Sequence, residues 1–525
     1  MVSGEEHADV VIIGSGFGGA VAACRLTTPE RKVVVLERGR DWSDVKTPQR
    51  ARDYLYSSRM PGLFNGWLDI RFLDQMVVAT GAGVGGGSLI YANVCVEAPE
   101  IVFDSGWPSQ ITADEMQRYY CKVHKVLDPQ EIPAGQINPR MSMLRRAADE
   151  LDVNFRYRPL PLAVAFDTSA PDTHDEPWRD PNVYAPGTCV HCGNCVIGCE
   201  TGAKKTLDQN YLKEATEHGA EIRPLSMVTH IEEGPDGAWR VQYLDLRAGL
   251  GRRKRQIVGK IVILAAGSIG STEILLRSRD GFRTLKNLPR ALGRGWSPNG
   301  DFLTLARYKK GHFLQPTKGP TIGGVIDFLS GVDLPDDNMV GFDGRIFIED
   351  GGLPNFGAHL LKAWEKKRGP KGWAHRKVSE LTDFRTMVPW FGQSIDAADG
   401  EFSLRNRLAF WRARTQLDWN PQCSMSALDA FKDVHVAMTR ATGGKPIPLA
   451  TWSRLRTLVT PHPLGGCNMA AAAGAGVTNH MGEVFGFENL FVMDGSVIPR
   501  AIGRNPSKTI AAVAERSCEK LLERL

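Results

Sequence analysis

Two polar side chains near the end of the chain are of types that could act together on a hydroxyl group. His462 opens the sequence His-Pro-Leu-Gly-Gly, and Asn505 lies in the sequence Gly-Arg-Asn-Pro. Histidine titrates near neutral pH and could remove a hydroxyl proton as a general base. An amide could orient the same hydroxyl through its carbonyl or its NH2 group without titrating. The alternatives are a structural histidine and an asparagine that only forms the turn before Pro506.

Oxidation of an alcohol also removes a hydride from carbon, which is the chemistry of a flavin or nicotinamide cofactor. Residues 10–13 form an apolar run of strand length, and residues 20–26 combine good helix formers with an apolar stripe. The Gly-x-Gly-x-x-Gly sequence between them permits a tight turn, close approach of a pyrophosphate and close packing of helix on strand. The N-terminus of the predicted helix favours phosphates. The three glycines are Gly14, Gly16 and Gly19.

Three further segments extend the predicted cofactor site. A second apolar run, residues 32–36, ends in Glu37. An acid about 20 residues after such a turn suits the hydroxyls of an adenosine ribose. Residues 261–268 indicate another buried strand that enters a glycine turn. Residues 80–88 are too rich in glycine for the inside of a helix or strand, so we predict a loop whose backbone lies close to a flat or anionic group.

These motifs, in this order, resemble the glucose–methanol–choline (GMC) oxidoreductase family, and within it the cholesterol-oxidase-like bacterial branch. The likeness covers about residues 9–96 and 198–266 and is densest from His462 onward, whereas residues 300–450 match no motif of the family. It implies an α/β fold: a doubly wound, Rossmann-like FAD-binding domain, discontinuous in sequence, with an α+β substrate-binding domain. The expected segments are 1–100, 185–300 and 455–525 for the FAD-binding domain, and 101–184 and 301–454 for the substrate-binding domain.

The resemblance also implies roles residue by residue. FAD would be held through its ADP half by Gly14, Gly16, Gly19 and Glu37, through its adenine by the backbone of Val228, through its ribityl hydroxyls by Asp494, and along the flavin by Gly83, Gly86, Gly87 and Ser88. His462 matches the active-site histidine of the family, and Asn505 matches the second catalytic position of sterol oxidases.

Two departures from the sterol oxidases concern the substrate. Tyr91-Ala-Asn-Val replaces their Asn-Gly-Gly-Met after the glycine-rich loop, so the surface that faces the flavin differs. Their additional active-site glutamate lies in the central region, where no motif aligns. Glu349, Asp350 and Glu380 are candidates on residue type alone.

Four of the ten cysteines form a separate motif, with spacings of two, two and three residues. They are Cys189, Cys192, Cys195 and Cys199. Bacterial ferredoxins use this spacing for iron–sulfur ligation, although there a proline follows, where this chain has Glu200. Zinc binding is a second interpretation and reduced structural thiols are a third. A cluster beside the flavin would pass electrons singly to a redox carrier protein, whereas oxygen is the simpler acceptor without one.

Composition is that of a soluble globular protein: 525 residues, of which 42% are hydrophobic and 23% charged. The net charge of +5 is too small to indicate nucleic acid binding. We find no leader sequence and no apolar run long enough for a membrane span, and expect a cytoplasmic protein. Tryptophans among basic residues at 360–368 and 372–377 suit peripheral contact with an anionic membrane. The alternative there is a solvated loop with two core tryptophans.

We therefore predict FAD-dependent oxidation of a bulky, apolar alcohol, a 3β-hydroxysteroid or a long-chain alcohol, with His462 as the base and Asn505 positioning the hydroxyl. The partners are the alcohol and an electron acceptor, either oxygen or a carrier protein reached through an iron–sulfur cluster. Three alternatives remain: an oxygen-using oxidase without a cluster, a lyase or light-driven decarboxylase on the same fold, and a non-catalytic electron-transfer or redox-sensing flavoprotein.

Overall fold

The computed structural model describes residues 5–44, 51–61, 63–169, 184–247, 253–309, 314–329, 346–354, 386–405, 414–447 and 457–525. Residues 360–377, on which the predicted membrane contact depends, and Glu380 lie outside this part of the chain. No helix within the described ranges combines the length and the apolar character needed to cross a membrane.

The described residues form helices and strands throughout the chain. The helices are α1 (Phe17–Leu26), α2 (Ala51–Tyr54), α3 (Ala113–Leu127), α4 (Pro139–Glu150), α5 (Tyr211–Glu217), α6 (Gly267–Leu276), α7 (Met425–Ala441) and α8 (Ser507–Leu522). The strands are β1 (His7–Ile13), β2 (Val33–Leu36), β3 (Leu55–Tyr56), β4 (Leu68–Leu73), β5 (Met76–Gly81), β6 (Tyr157–Pro159), β7 (Glu221–Arg223), β8 (Ser226–Glu233), β9 (Trp239–Asp245), β10 (Arg253–Leu264), β11 (Arg294–Trp296), β12 (Phe302–Arg307), β13 (Gly324–Asp327), β14 (Ile346–Asp350), β15 (Met387–Ser394), β16 (Gly400–Arg405), β17 (Arg414–Asp418), β18 (Lys445–Ile447), β19 (Leu458–Thr460) and β20 (Leu490–Val492).

The largest sheet is the predicted Rossmann-like sheet. Its strand order is β7-β2-β1-β10-β9-β8, and β20 also pairs with β10. Strand β1 is parallel to β2 and β10, and β20 is parallel to β10, whereas β9 is antiparallel to both of its neighbours. Helix α1 packs against α8 and α5, and α8 packs against α3. The sheet thus unites strands from both ends and the middle of the chain, which confirms the discontinuous α/β fold.

A second, six-stranded sheet is antiparallel throughout, in the order β18-β12-β15-β14-β13-β6. Helices α4 and α7 pack against it. All six strands come from the segments predicted to form the substrate-binding domain. Strand β11, however, comes from a segment assigned to the FAD-binding domain and pairs with β16 from the other assignment. The positions of the domain boundaries therefore stay a prediction.

The topology gathers distant parts of the chain at one edge of the Rossmann-like sheet. The carboxyl ends of the parallel strands β1, β2, β10 and β20 meet there, which is where open α/β sheets bind ligands. A smaller sheet, in the order β19-β5-β4-β3, brings β19 beside β5 in parallel. The chain leaves β19 two residues before His462 and enters α8 directly after Pro506, so both predicted catalytic residues lie at element ends.

Candidate active site

The glycine turn after β1 has the shape that the sequence predicts. Gly14 has a φ of +100°, and a Cβ there would lie 2.4 Å from the carbonyl oxygen of Ala265. A Cβ at Gly19 would lie 2.1 Å from the carbonyl oxygen of Gly14, so only glycine lets α1 pack this closely. Gly16 differs from both, because a Cβ there would meet no protein atom within 4 Å. Gly16 lines the main cavity, so it leaves room for a ligand.

Glu37 closes the turn through hydrogen bonds as well as charge. One carboxylate oxygen accepts hydrogen bonds from the backbone N–H and the hydroxyl of Ser15, at 3.1 and 2.7 Å. The other accepts the backbone N–H of Gly39 at 2.9 Å. Ser15, which the sequence analysis did not single out, also accepts a hydrogen bond from the N–H of Gly85 at 3.2 Å. Ser15 therefore ties the nucleotide turn to the glycine-rich loop.

That loop packs directly on the turn. A Cβ at Gly86, whose φ is +52°, would lie 2.6 Å from the Cα of Gly16. Gly86 and Gly87 line the main cavity. Two other predicted residues lie away from its lining: Gly83 is against Trp42, and the hydroxyl of Ser88 donates to Gly85 and accepts from the N–H of Leu207.

Asp494 joins two strand ends below the cavity. One carboxylate oxygen accepts from the hydroxyl of Ser271 and the N–H of Gly267, at 2.5 and 2.9 Å. The other accepts from the N–H and the hydroxyl of Ser496, at 2.8 and 2.5 Å. Burial raises the pKa of the Asp494 carboxyl, while these hydrogen bonds lower it. Asp494 thus fixes the geometry of the site in addition to lining it.

One cavity of about 430 Å³ connects the nucleotide turn to the predicted catalytic residues. It lies along the carboxyl edge of the Rossmann-like sheet and extends towards the antiparallel sheet. Of the residues predicted from the sequence, it is lined by Gly14, Gly16, Glu37, Gly86, Gly87, Val228, Asp494, His462 and Asn505. The glycine turn, the open space at Gly16 and the loop against it fit a bound FAD.

His462 and Asn505 reach the cavity from different elements. The His462 side chain is 16% exposed, and its Nδ1 lies 2.9 Å from a carboxylate oxygen of Asp301. Its backbone N–H donates to the hydroxyl of Thr460 at 2.9 Å. The Asn505 side chain is buried, yet its Oδ1 has no hydrogen-bond partner among the described residues. A polar atom that is buried, unpaired and on a cavity wall is available to a substrate.

Glu349, one of three carboxylates that the sequence left open, lies directly beside Asn505. It is fully buried at the end of β14, and one of its oxygens accepts from the Gln393 side chain at 3.0 Å. Its other oxygen lacks a partner within the described structure. Burial raises the pKa of the Glu349 carboxyl to about 8, although the nearby polar side chains of Gln393 and Asn505 lower it. The group is therefore predominantly a neutral acid at neutral pH.

Asp350, the next residue, has both carboxylate oxygens bonded to other parts of the fold. It pairs with the equally buried Arg140 at 3.0 Å and accepts the backbone N–H groups of Gly323 and Gly324. In the sequence, only the alternation of side chains along a strand could have distinguished Glu349 from Asp350. Neighbouring residues of β14 point to opposite faces of the sheet, so only one of the two can face the cavity side.

The four cysteines of the 189–199 motif line a second, much smaller cavity of about 20 Å³. Such a volume holds about one water molecule. The thiols are free, and no group of three or more potential ligands in the described ranges could hold a metal ion. This geometry does not fit the iron–sulfur cluster or the zinc ion that the spacing suggested.

A buried lysine explains how the cysteine loop is held. The ammonium group of Lys204 donates to the backbone carbonyls of Leu89, Tyr91 and Cys195, at 2.8, 3.1 and 2.6 Å. Two of these carbonyls follow the glycine-rich loop and one belongs to the cysteine loop. Val196 of the cysteine loop lines the main cavity. The cysteine loop therefore forms part of the wall of the cofactor site, and the buried Lys204 links it to the residues after the glycine-rich loop.

A dinucleotide turn shares one cavity with a histidine and an asparagine, an arrangement that suits a flavin-dependent oxidoreductase. Comparisons with known proteins agree. Models described as GMC oxidoreductase match residues 180–292 and 399–514, and a model described as an NAD(P)-binding Rossmann-like domain matches residues 12–57. A cholesterol oxidase of Mycobacterium tuberculosis is 31% identical, over 97% of this chain and 90% of that protein.

Two more distant matches extend the comparison. A long-chain-alcohol oxidase of Arabidopsis thaliana is 24% identical, over 98% of this chain and 67% of that protein. The structure of an Aspergillus oryzae formate oxidase matches with a TM-score of 0.66 at 14% identity, over 100% of this chain and 99% of that one, and shows the shared fold. The chain belongs to the GMC oxidoreductase family. It is an FAD-dependent enzyme that acts on CH–OH donors, which confirms the predicted enzyme class and, of the predicted cofactors, FAD.

Proposed function

We propose that this enzyme oxidises the hydroxyl group of a bulky, apolar alcohol to the carbonyl, with His462 as the base and Asn505 positioning the hydroxyl. The alcohol is a 3β-hydroxysteroid or a long-chain alcohol. The observation that carries the proposal is that His462 and Asn505 line the same cavity as the nucleotide turn.

The contact between His462 and Asp301 favours one tautomer of the neutral ring. With the Nδ1–H donated to Asp301, the lone pair of the neutral ring is on Nε2. Nε2 is then the atom that accepts the hydroxyl proton. FAD, when bound, accepts the hydride from the carbon of the alcohol.

Asn505 and Glu349 complete the polar end of the cavity without adding charge. The unpaired Oδ1 of Asn505 is available to a substrate hydroxyl. Glu349 stands beside Asn505 as a neutral acid at neutral pH, because burial raises its pKa to about 8. A neutral group there holds the amide in place without repelling the electron-rich alcohol oxygen.

The rest of the lining supports an apolar substrate. Between the polar end and the antiparallel sheet the cavity is bordered by Ile90, Val94, Leu303, Ile322, Leu353 and Phe391. Burial of apolar surface against such a wall stabilises binding by about 25 cal/mol for each Å² removed from water. Cholesterol and long-chain alcohols, named for the two relatives, are molecules of this kind. Since both relatives are named oxidases, we propose oxygen as the electron acceptor.

Anaerobic stopped-flow spectroscopy tests the role of His462. Mixing the enzyme with a 3β-hydroxysteroid or a long-chain primary alcohol should bleach the flavin absorbance. We expect His462→Gln to lower the limiting rate constant of bleaching by about 10²- to 10⁴-fold, with bound FAD unchanged. His218→Gln, at an exposed position, is the matched control. An unchanged rate in His462→Gln would refute the assignment.

The same experiment separates the alternative reactions. If no alcohol bleached the flavin, and fatty acids released carbon dioxide only in light, the protein would be a decarboxylase on this fold. If bleaching occurred but reoxidation by oxygen were slow, a carrier protein would replace oxygen as the acceptor.

A further inference from the structure

A buried segment of five residues, 297–301, contacts the supports of both proposed catalytic side chains. Within it, Asp301 is 1% exposed and bonds to His462 through one carboxylate oxygen, at 2.9 Å. The other oxygen accepts from the hydroxyl of Thr460 at 2.6 Å. His462 is the only basic side chain within ion-pair distance of Asp301 in the described structure. The interaction of the Asp301 carboxylate with a basic group is therefore with the His462 imidazole.

The other end of the segment holds the Asn505 loop. Asn299 is fully buried, and its Oδ1 accepts the backbone N–H groups of Ile502 and Gly503, both at 3.0 Å. Its NH2 group donates to the carbonyl of Arg504 at 2.9 Å. One side chain thus satisfies three consecutive backbone groups immediately before Asn505. Asn299 has a φ of +59°, a conformation that asparagine tolerates better than most residues.

The backbone of the segment is also paired with the histidine motif. Ser297 and Leu464 exchange two backbone hydrogen bonds, each of 3.0 Å. Leu464 lies two residues after His462. The segment consequently contacts the His462 loop through Asp301 and Ser297, and the Asn505 loop through Asn299. Its own shape is fixed by Asp396, which accepts from the hydroxyl of Ser297 and the N–H of Gly300.

We propose that residues 297–301 are the common positioning element of the active site, in which Asp301 orients His462 and Asn299 orients Asn505. This inference rests on the proposed function, since it assigns a purpose to the base and the amide named there. Asp301 holds the proton on Nδ1, so that Nε2 presents its lone pair, and stabilises the imidazolium that forms when the alcohol proton arrives. Neither residue is called catalytic, because each acts through another side chain.

The carboxyl of Asp301 is buried near two other acids. Burial raises the pKa of the Asp301 carboxyl, while its hydrogen bonds with His462 and Thr460 lower it. Glu349 and Asp396 interact electrostatically with Asp301, and burial raises the pKa of Asp396 to about 6 and that of Glu349 to about 8. His462 and Thr460 are therefore contacts that favour the charged form of Asp301.

The test is the rate of flavin reduction in Asp301→Asn, measured anaerobically on the FAD-loaded enzyme at a series of alcohol concentrations. We expect the limiting rate constant to fall about 10- to 1000-fold. We also expect the alcohol concentration that gives half of the limiting rate to change by less than about twofold. A residue that only supported the fold would change both quantities. Asp301→Glu should recover part of the rate, and Asp418→Asn, an exposed carboxyl, should change neither quantity.

Double variants separate this inference from the proposed function. Residues that act as a unit show non-additive effects. Asp301→Asn should therefore cause no further loss in a His462→Gln background. Asn299→Gly, in which glycine accepts the positive φ, should cause no further loss in an Asn505→Ala background. If the losses add fully, the positioning role is wrong, but the assignment of His462 as the base still stands. If His462→Gln itself leaves the rate unchanged, both fail.

Should Asp301→Asn lose its FAD, a milder variant keeps the test decisive. Thr460→Val removes the hydrogen bond to Asp301 and the one that the Thr460 hydroxyl accepts from the His462 N–H, and it leaves the carboxylate beside the ring. We expect the limiting rate constant to fall about 3- to 10-fold. A rate constant equal to that of the wild-type enzyme would overturn the role of Asp301.

Discussion

The two cavities of this enzyme share a wall yet differ in what their polar groups can do. The large cavity has an open position at Gly16, an unpaired amide oxygen at Asn505 and a histidine with a dedicated carboxylate partner. The small cavity holds four thiols but only about 20 Å³ of space, and its buried cation, Lys204, is bonded to three carbonyls. A ligand site needs vacant space and unpaired polar atoms, and a suggestive spacing of residues supplies neither.

The difference between filled and vacant space can be tested at two nearby glycines of the nucleotide turn. A substitution at Gly18 should impair folding, whereas one at Gly16 should impair FAD binding. A Cβ at Gly18 would lie 1.5 Å from the carbonyl oxygen of Met493, so Gly18→Ala should prevent packing of α1 on the strand beside it. We expect little soluble protein, or a melting temperature lowered by more than about 10 °C. Gly16→Ala should keep the fold and instead weaken FAD binding at least tenfold, because its methyl group enters the cavity.

Circular dichroism and FAD titration of the apoenzyme distinguish these results. Normal FAD affinity in Gly16→Ala would show that the pyrophosphate lies elsewhere. A normally folded Gly18→Ala would contradict the packing of α1 in this structure.

Glu349, which lies beside Asn505 at the large cavity, extends the comparison to the pH dependence of stability. Its pKa is raised from an ordinary 4.5 to about 8, so the folded protein binds a proton that the unfolded chain releases. Stability should therefore decrease as the pH rises from about 4.5 through 8. Glu349→Gln removes this dependence, and its melting temperature should fall about 2–5 °C less than that of the wild type over this range.

Thermal melts between pH 5 and pH 8.5 measure this difference. Glu401→Gln, at an exposed position of β16, is the control and should follow the wild type. Parallel curves for Glu349→Gln and the wild type would mean that Glu349 is ionised in the folded enzyme. Glu349 would then carry a negative charge beside Asn505, contrary to the proposed role of a neutral acid there.

Sequence reasoning succeeded where the chemistry is local. The strand, turn and helix from His7 to Leu26 are contiguous, and apolar periodicity with glycine spacing predicts them directly. His462 and Asn505 were found because glycine and proline mark their loops. The roles assigned to these residues stay predictions, and Gly83 and Ser88 lie away from the cavity lining.

The partners of the catalytic side chains could not be found in this way. Asp301 lies 161 residues from His462, and Asn299 lies more than 200 residues from the backbone that it holds. No periodicity connects such positions, because antiparallel strands from residues 157–447 must first assemble. The cysteine motif is the opposite case. Its spacing is local and clear, yet it left three interpretations open, because the volume around the thiols is decided by distant packing.

The smallest effects are therefore expected at the thiols. Cys192→Ser should change flavin reduction by less than about twofold, since the side chain lines no surface of the large cavity. Protein purified without oxygen should contain FAD and less than about one iron or acid-labile sulfide for each FAD, because the 20 Å³ cavity has no room for a cluster. About four of each, lost together in Cys192→Ser, would show that the loop opens around a cluster. The enzyme would then be a dehydrogenase that needs a one-electron partner, and the wall between the two cavities would be a path for electrons.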